Sequence, residues 1–167
     1  MAEEMKVVFF DGNYSHAIDA KGRVTIPSEY RDALTDGFTI GLNSKLNAMV
    51  VYPKAKWNER LQSLMQIPEM DEDATDYVRL IIGNSFSNNT LDSAGRMMLP
   101  VTLRQMLSLE SDKNIRFVGM VDHFEVWSET SYLKDLAETK LKANSLARYV
   151  KGAYYNKDSN KEAKSEN

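Results

Sequence analysis

The sequence predicts an α+β fold built from two tandem copies of one small module, joined and followed by helices. Three observations carry this. First, the stretch "IDAKGRVTIPSEYRDAL", Ile18 to Leu34, recurs without a gap as "LDSAGRMMLPVTLRQML", Leu91 to Leu107. Asp19/Asp92, Gly22/Gly95, Arg23/Arg96, Pro27/Pro100, Arg31/Arg104 and Leu34/Leu107 are identical. Second, apolar residues alternate inside each copy, as a half-buried strand requires. Third, between and after the copies they recur every three or four residues, as a helix requires. The copies lie too far apart for a solenoid repeat, so a tandem pair of small domains is expected.

Each copy has the same element order. A short strand ends at Asp19, or at Asp92. A tight turn follows, with Gly22 or Gly95 where a positive φ is wanted. The next strand leaves from the arginine, with Val24 and Ile26 on one face and Met97 and Leu99 on the corresponding one. Proline closes that strand and opens a short helix, on which Tyr30 and Leu34, or Leu103 and Leu107, are four apart. "FTIGL" and "AMVVYP" then form a hairpin, as do "IRFVGMV" and "FEVW". Between the copies, "PKAKWNERLQSLM" sets Trp57, Leu61 and Leu64 on one helical face, and Pro68 breaks it. "DEDATDYVRLII" restarts with acidic residues suited to a helix N-terminus. A last helix begins near Ser128, and the polar tail from Lys151 is expected to be disordered. The expected boundaries are 13–56 for the first domain and 57–85 for the connector. The second domain spans 86–130, the C-terminal helix 131–150 and the tail 151–167.

Composition excludes several classes. The 167 residues include no cysteine, which removes disulfides, thiolate metal sites and cysteine nucleophiles. The two histidines, His16 and His123, are far apart and lack partners at metal spacing, so neither a metal nor a cofactor is expected. The longest charge-free run, Leu80 to Leu91, is polar and too short to span a bilayer. The start, "MAEEMKVVFF", is acidic before a short apolar run, the reverse of a signal peptide, so a soluble, cytoplasmic protein is expected. Net charge is −3, so nucleic-acid binding needs a local basic feature.

The Asp-x-x-x-Arg turn admits two readings. In one, Asp19 caps the turn and pairs with Arg23 across a hairpin, a surface ion pair of small value. In the other, the arginine faces outward with a planar fork of donors that suits phosphate or the O6/N7 edge of guanine. The two are compatible if the aspartate shapes the turn and aims the arginine. Lys21 adds a second positive charge to the first turn, where the second has Ala94.

"FFDGNYSHAIDAKGRVTIPSEYR", "VVYPKAKW", "LDSAGRMMLPVTLR" and "VGMVDHFEVW" together resemble the MraZ family, bacterial regulators made of two tandem SpoVT/AbrB-type domains. The likeness runs from about Phe10 to Trp127. It implies AbrB-like swapped-hairpin β-barrel repeats related by a pseudo-twofold axis, and a ring-shaped homo-oligomer associated with the nucleoid. It also implies binding to repeated boxes on double-stranded DNA upstream of a division and cell-wall gene cluster, with repression of that cluster. Carried onto this sequence, DNA contact falls on Arg23 and Arg96, with Lys21 beside the first. Asp19 and Asp92 become the orienting residues, with Gly22 and Gly95 in the turns. Three features depart from the family pattern: acidic Glu3 and Glu4, a long polar tail, and the polar "NSFSNNT" before the second motif.

Charge and energy set a further expectation. From His16 to Arg31 there are three basic residues (Lys21, Arg23, Arg31) and two acidic ones (Asp19, Glu29). One arginine–base contact discriminates by about 1–3 kcal/mol. A specific site needs a dissociation constant of about 10⁻⁸ M, or about 11 kcal/mol. Two or three contacts per chain do not reach that, so tight binding is expected to need several linked chains. Arg31 and Arg104 are expected to pair with neighbouring carboxylates, and Trp57 and Trp127 to lie in the core or an interface. A competing reading is an antitoxin-like or scaffold protein that binds another protein through the same barrel, for which the acidic connector leaves room. An enzyme is disfavoured, since no nucleophile–base pair, phosphate loop or metal cluster is visible.

Overall fold

The computed structural model describes residues 9–109 and 113–155. They fall into two compact units, one ending at Glu129 and one beginning at Thr130. The first unit holds β1 (Asn13–Ala17), β2 (Arg23–Thr25), α1 (Ser28–Arg31), β3 (Phe38–Leu42) and β4 (Met49–Pro53). The connector follows as α2 (Lys54–Leu64) and α3 (Glu72–Gly83). The second copy supplies β5 (Phe86–Asn89), β6 (Arg96–Met98), α4 (Val101–Met106), β7 (Asn114–Gly119) and β8 (Phe124–Ser128). The expected element order is therefore present in both copies.

Local chemistry explains the boundaries. Pro27, Pro53 and Pro100 stand directly before α1, α2 and α4, where a missing N–H costs nothing and φ is already near the helical value. Asp71 caps α3 by accepting from the Ala74 N–H at 2.9 Å, with Glu72 and Asp73 in the first turn.

The strand pairing differs from two side-by-side domains. Among the described residues, only the hairpins β3–β4 and β7–β8 pair within a copy. β1 pairs with β7, β3 with β5, β4 with β8 and β2 with β6, all antiparallel and all between copies. The result is a six-stranded sheet, β1-β7-β8-β4-β3-β5, and a separate two-stranded ribbon, β2-β6. The physical reason is the turn itself. It sends β2 away from β1, so each strand completes its backbone hydrogen bonds with the other copy.

One core serves both copies. Val24, Ile26 and Tyr30 are fully buried, and so are their counterparts Met97, Leu99 and Leu103. Phe10, Tyr30, Phe117 and Phe124 pack as rings with centroids 5.0–5.7 Å apart. Each such side chain contributes about 1.5–3 kcal/mol by leaving water. Trp57 is buried against Val50 and Tyr52, with Leu61 beside them. Trp127 is also buried, its indole N–H donating to Glu125 Oε2 at 2.8 Å.

The polar approach to the second motif becomes the edge strand β5. Thr39 donates its hydroxyl to Ser87 Oγ at 3.0 Å, and Asn89 Nδ2 donates to the Phe38 carbonyl at 3.2 Å. Beyond Phe86, the short polar side chains of Ser87, Asn88 and Asn89 keep most of this edge polar. The second unit is helical, with α5 (Glu129–Leu141) and α6 (Ala143–Val150). A π-helical stretch, Lys151–Tyr155, continues α6, so the first residues of the expected disordered tail are helical. The remainder of that tail, and Glu3 and Glu4, lie outside the described residues. No helix of the described residues is long and apolar enough to cross a membrane.

Candidate nucleic-acid interface

Both Asp-x-x-x-Arg turns are built alike. Asp19 Oδ1 accepts from the backbone N–H groups of Lys21 and Arg23, each at 2.9 Å, and Oδ2 accepts from Arg23 Nε at 2.7 Å. The backbone closes with Asp19 N–H to the Arg23 carbonyl and Gly22 N–H to the Asp19 carbonyl, both 2.9 Å. In the second turn Asp92 accepts from Ala94 and Arg96 N–H at 2.9 Å and from Arg96 Nε at 2.8 Å. Gly22 and Gly95 take φ of +79° and +72°, which an L side chain rarely adopts.

The aspartates therefore do both things the sequence allowed. Each folds its turn through backbone N–H groups and fixes its arginine's guanidinium through Nε alone. Among the described residues, no partner is seen for the terminal guanidinium nitrogens of Arg23 or Arg96. Hydrogen bonds hold both carboxyls below the ordinary carboxylate value, the arginine's backbone N–H first. Each carboxylate is thus charged, and its arginine is aimed without being neutralised at both ends.

The ribbon brings the two arginines onto one face. Arg23 lies opposite Met98, Val24 opposite Met97 and Thr25 opposite Arg96. Side chains alternate along a strand, so Val24 and Met97 point to the core, where both are fully buried. Arg23, Thr25, Arg96 and Met98 share the other face. Arg23 and Arg96 are diagonal neighbours there, about 7–8 Å apart by cross-strand spacing. The arginine side chains are 25% and 33% exposed, and Met98 is 52% exposed. The register is unchanged when the copies are exchanged, with Val24 and Met97 paired at its centre.

The family model for "MraZ protein, putative antitoxin-like" matches residues 9–80 and 85–151. The chain belongs to the MraZ family. Two matched segments agree with the duplication found in the sequence, so the copies are two MraZ repeats. Similar relatives include Transcriptional regulator MraZ of Saccharophagus degradans, 34% identical over 77% of this chain and 88% of that protein. Those of Azoarcus sp. (35% identical, over 75% and 84%) and Alkaliphilus oremlandii (34%, over 83% and 94%) match similarly.

Two MraZ-repeat residues behave differently from expectation. Arg31 and Arg104 pair with no carboxylate among the described residues. Arg31 Nε donates to the Ile26 carbonyl at 2.9 Å, and Arg104 Nε to the Leu99 carbonyl at 3.2 Å. A backbone acceptor just past each outgoing strand is nearer than any acid among the described residues. Their guanidinium groups lie against the turn of the other repeat. A Cβ built on Gly22 would be 2.6 Å from Arg104 Cζ, and one on Gly95 would be 2.7 Å from Arg31 Cζ. Each turn glycine is thus favoured by its φ, and a Cβ there would also displace the end of the other repeat's arginine.

Lys21 is exposed at the tip of the first turn. The histidines lie apart. His16 meets Phe117 edge-on at 5.4 Å, and burial, then the charge of Arg31, lowers its pKa. His123 stacks on Tyr52 at 4.4 Å and hydrogen-bonds Asp122. Sequence reasoning missed Thr25 and Met98 as ribbon-face residues. The alternation of Val24 and Met97 held that signal, but only the β2–β6 pairing puts both strands on one surface.

Proposed function

We propose that this chain is a DNA-binding transcriptional regulator whose contact surface is the outer face of the β2-β6 ribbon. The observation that carries the reading is the paired arginines. Two turns of the same construction each fix Nε and leave the terminal nitrogens open on one side of one ribbon. A two-stranded ribbon has dimensions that suit the major groove, and an arginine fork suits guanine O6/N7 or a phosphate. Arg23 and Arg96 are the contact residues, Lys21 adds a phosphate contact, and Asp19, Asp92, Gly22 and Gly95 hold the geometry. The names of the relatives support the regulatory role.

The finer parts follow from the same reading. The cross-repeat pairing and exchangeable register support a swapped-hairpin barrel with pseudo-twofold symmetry, its repeats at 13–56 and 86–130. The target is a set of repeated boxes upstream of the chain's own division and cell-wall gene cluster, which it represses at the nucleoid. Few contacts per chain then make a ring-shaped homo-oligomer necessary, since linked contacts raise effective concentration.

A gel shift on the chain's upstream DNA tests this, comparing wild type with the Arg23→Ala/Arg96→Ala double variant over a salt series. Wild-type binding should fall steeply with salt. The double variant should bind at least about a hundredfold more weakly, with a shallower salt slope. Unchanged binding would remove the turn arginines from the interface.

A further inference from the structure

We infer that Arg31 and Arg104 are positioning residues that act crosswise, each supporting the DNA-contact turn of the repeat to which it does not belong. The inference rests on the ribbon-face reading for its functional part and on geometry for its structural part. Three contacts close a loop around the second turn. The Ile26 N–H donates to the Gly95 carbonyl at 2.9 Å. The Ile26 carbonyl accepts from Arg31 Nε at 2.9 Å. The Arg31 guanidinium then lies against Gly95 itself, with Cζ and Nε both 2.7 Å from where a Cβ would stand. The same loop surrounds the first turn. The Leu99 N–H donates to the Gly22 carbonyl at 3.0 Å, and the Leu99 carbonyl accepts from Arg104 Nε at 3.2 Å. The Arg104 guanidinium lies against Gly22.

The consequence is a division of labour. Asp92 holds the second turn from inside, through the N–H groups of Ala94 and Arg96. Arg31 holds it from outside, through a planar group laid on the glycine. Gly95 is followed directly by Arg96, so a shift of the glycine moves the contact arginine. A planar fork with Nε engaged is needed for this, and an ammonium on a flexible stem does not supply it. Each turn thus depends on both repeats, which couples the two contacts on the ribbon face.

Two measurements on the full chain test the crossing. Hydrogen exchange read by mass spectrometry compares peptides over 18–26 and 91–99 in Arg31→Gln, Arg31→Lys and Arg104→Gln. Both Arg31 variants should speed exchange in 91–99 far more than in 18–26, where the Ile26 amide bonded to the Gly95 carbonyl follows, and Arg104→Gln should do the reverse, with the Leu99 amide following Gly22. Arg31→Lys keeps charge and most of the bulk, so it serves if Arg31→Gln does not fold. Faster exchange in 18–26 alone, in both peptides equally or in neither overturns the inference. Upstream DNA supplies a double-mutant cycle. Arg31→Gln should cost roughly tenfold in affinity, the scale of one hydrogen bond to a charged group. That loss should vanish on the Arg96→Ala background and persist on Arg23→Ala; full persistence on both overturns the crossing. If wild type binds no DNA, the regulatory reading fails, and the exchange data still decide the crossing.

Discussion

The two Asp-x-x-x-Arg turns share a skeleton and differ at the tip. In both, one carboxylate accepts two backbone N–H groups and one Nε, and a positive-φ glycine precedes the arginine. In both, the arginine of the other repeat covers the glycine. At the tip the first turn carries exposed Lys21, and the second carries exposed Ala94. Identical residues are those that make hydrogen bonds or leave space. The two tip positions that vary, Ala20/Ser93 and Lys21/Ala94, are exposed and hold no part of the frame with their side chains. The turn is therefore a fixed frame, and its outer charge is adjustable.

The largest break in that likeness should come from the frame. Asp19→Asn or Asp92→Asn removes the charge-assisted bond to Nε and leaves an amide that cannot accept with both atoms. Each should weaken DNA binding by about tenfold, equally in the two turns. The pH dependence follows from the same bonds. Both carboxyls titrate below the ordinary value of about 3.9, so the unfolded chain takes up the proton first as pH falls. The stability they contribute is complete above the unfolded value and is lost as pH drops through the lower folded one. In thermal melts below about pH 4, wild type should lose stability more steeply than the Asp19→Asn/Asp92→Asn double variant. Parallel curves would mean the carboxylates do not hold the turns.

The tip should matter less. Lys21→Ala should reduce the salt slope by about 0.9 and affinity only severalfold, and Ala94→Lys should do the opposite. Binding isotherms over a salt series check this. If Lys21→Ala weakens binding as much as Arg23→Ala, the turns are not equivalent, and the first one dominates.

Much of this was legible because duplication exposes it. Two gapless copies preserved Asp19, Gly22, Arg23 and Pro27 together, and the period-two pattern of Val24 and Ile26 predicted a face that is indeed buried. The partners of the strands were not legible. Alternation says which side of a strand is apolar but not which strand lies beside it, so periodicity marked two tandem modules without the cross-repeat pairing that joins them in one core. Arg31 and Arg104 failed for the same reason. Their carbonyl acceptors are five residues away in sequence, but the glycines they cover are over sixty residues distant. Charge alone suggested carboxylates, and only the pairing of the two repeats shows the backbone they lie against.

The central claim is that DNA lies on the ribbon face, and two adjacent methionines test it directly. Met97 and Met98 differ in face, the first fully buried and the second exposed between the arginines. The chain labelled at its methionine methyl groups can be titrated with its own upstream duplex and followed by NMR, which tolerates a large assembly. Met98 should shift strongly, Met97 only weakly, and the exposed connector residues Met65 and Met70 not at all. Shifts at Met65 or Met70 with Met98 silent would place the partner on the acidic connector and contradict the account.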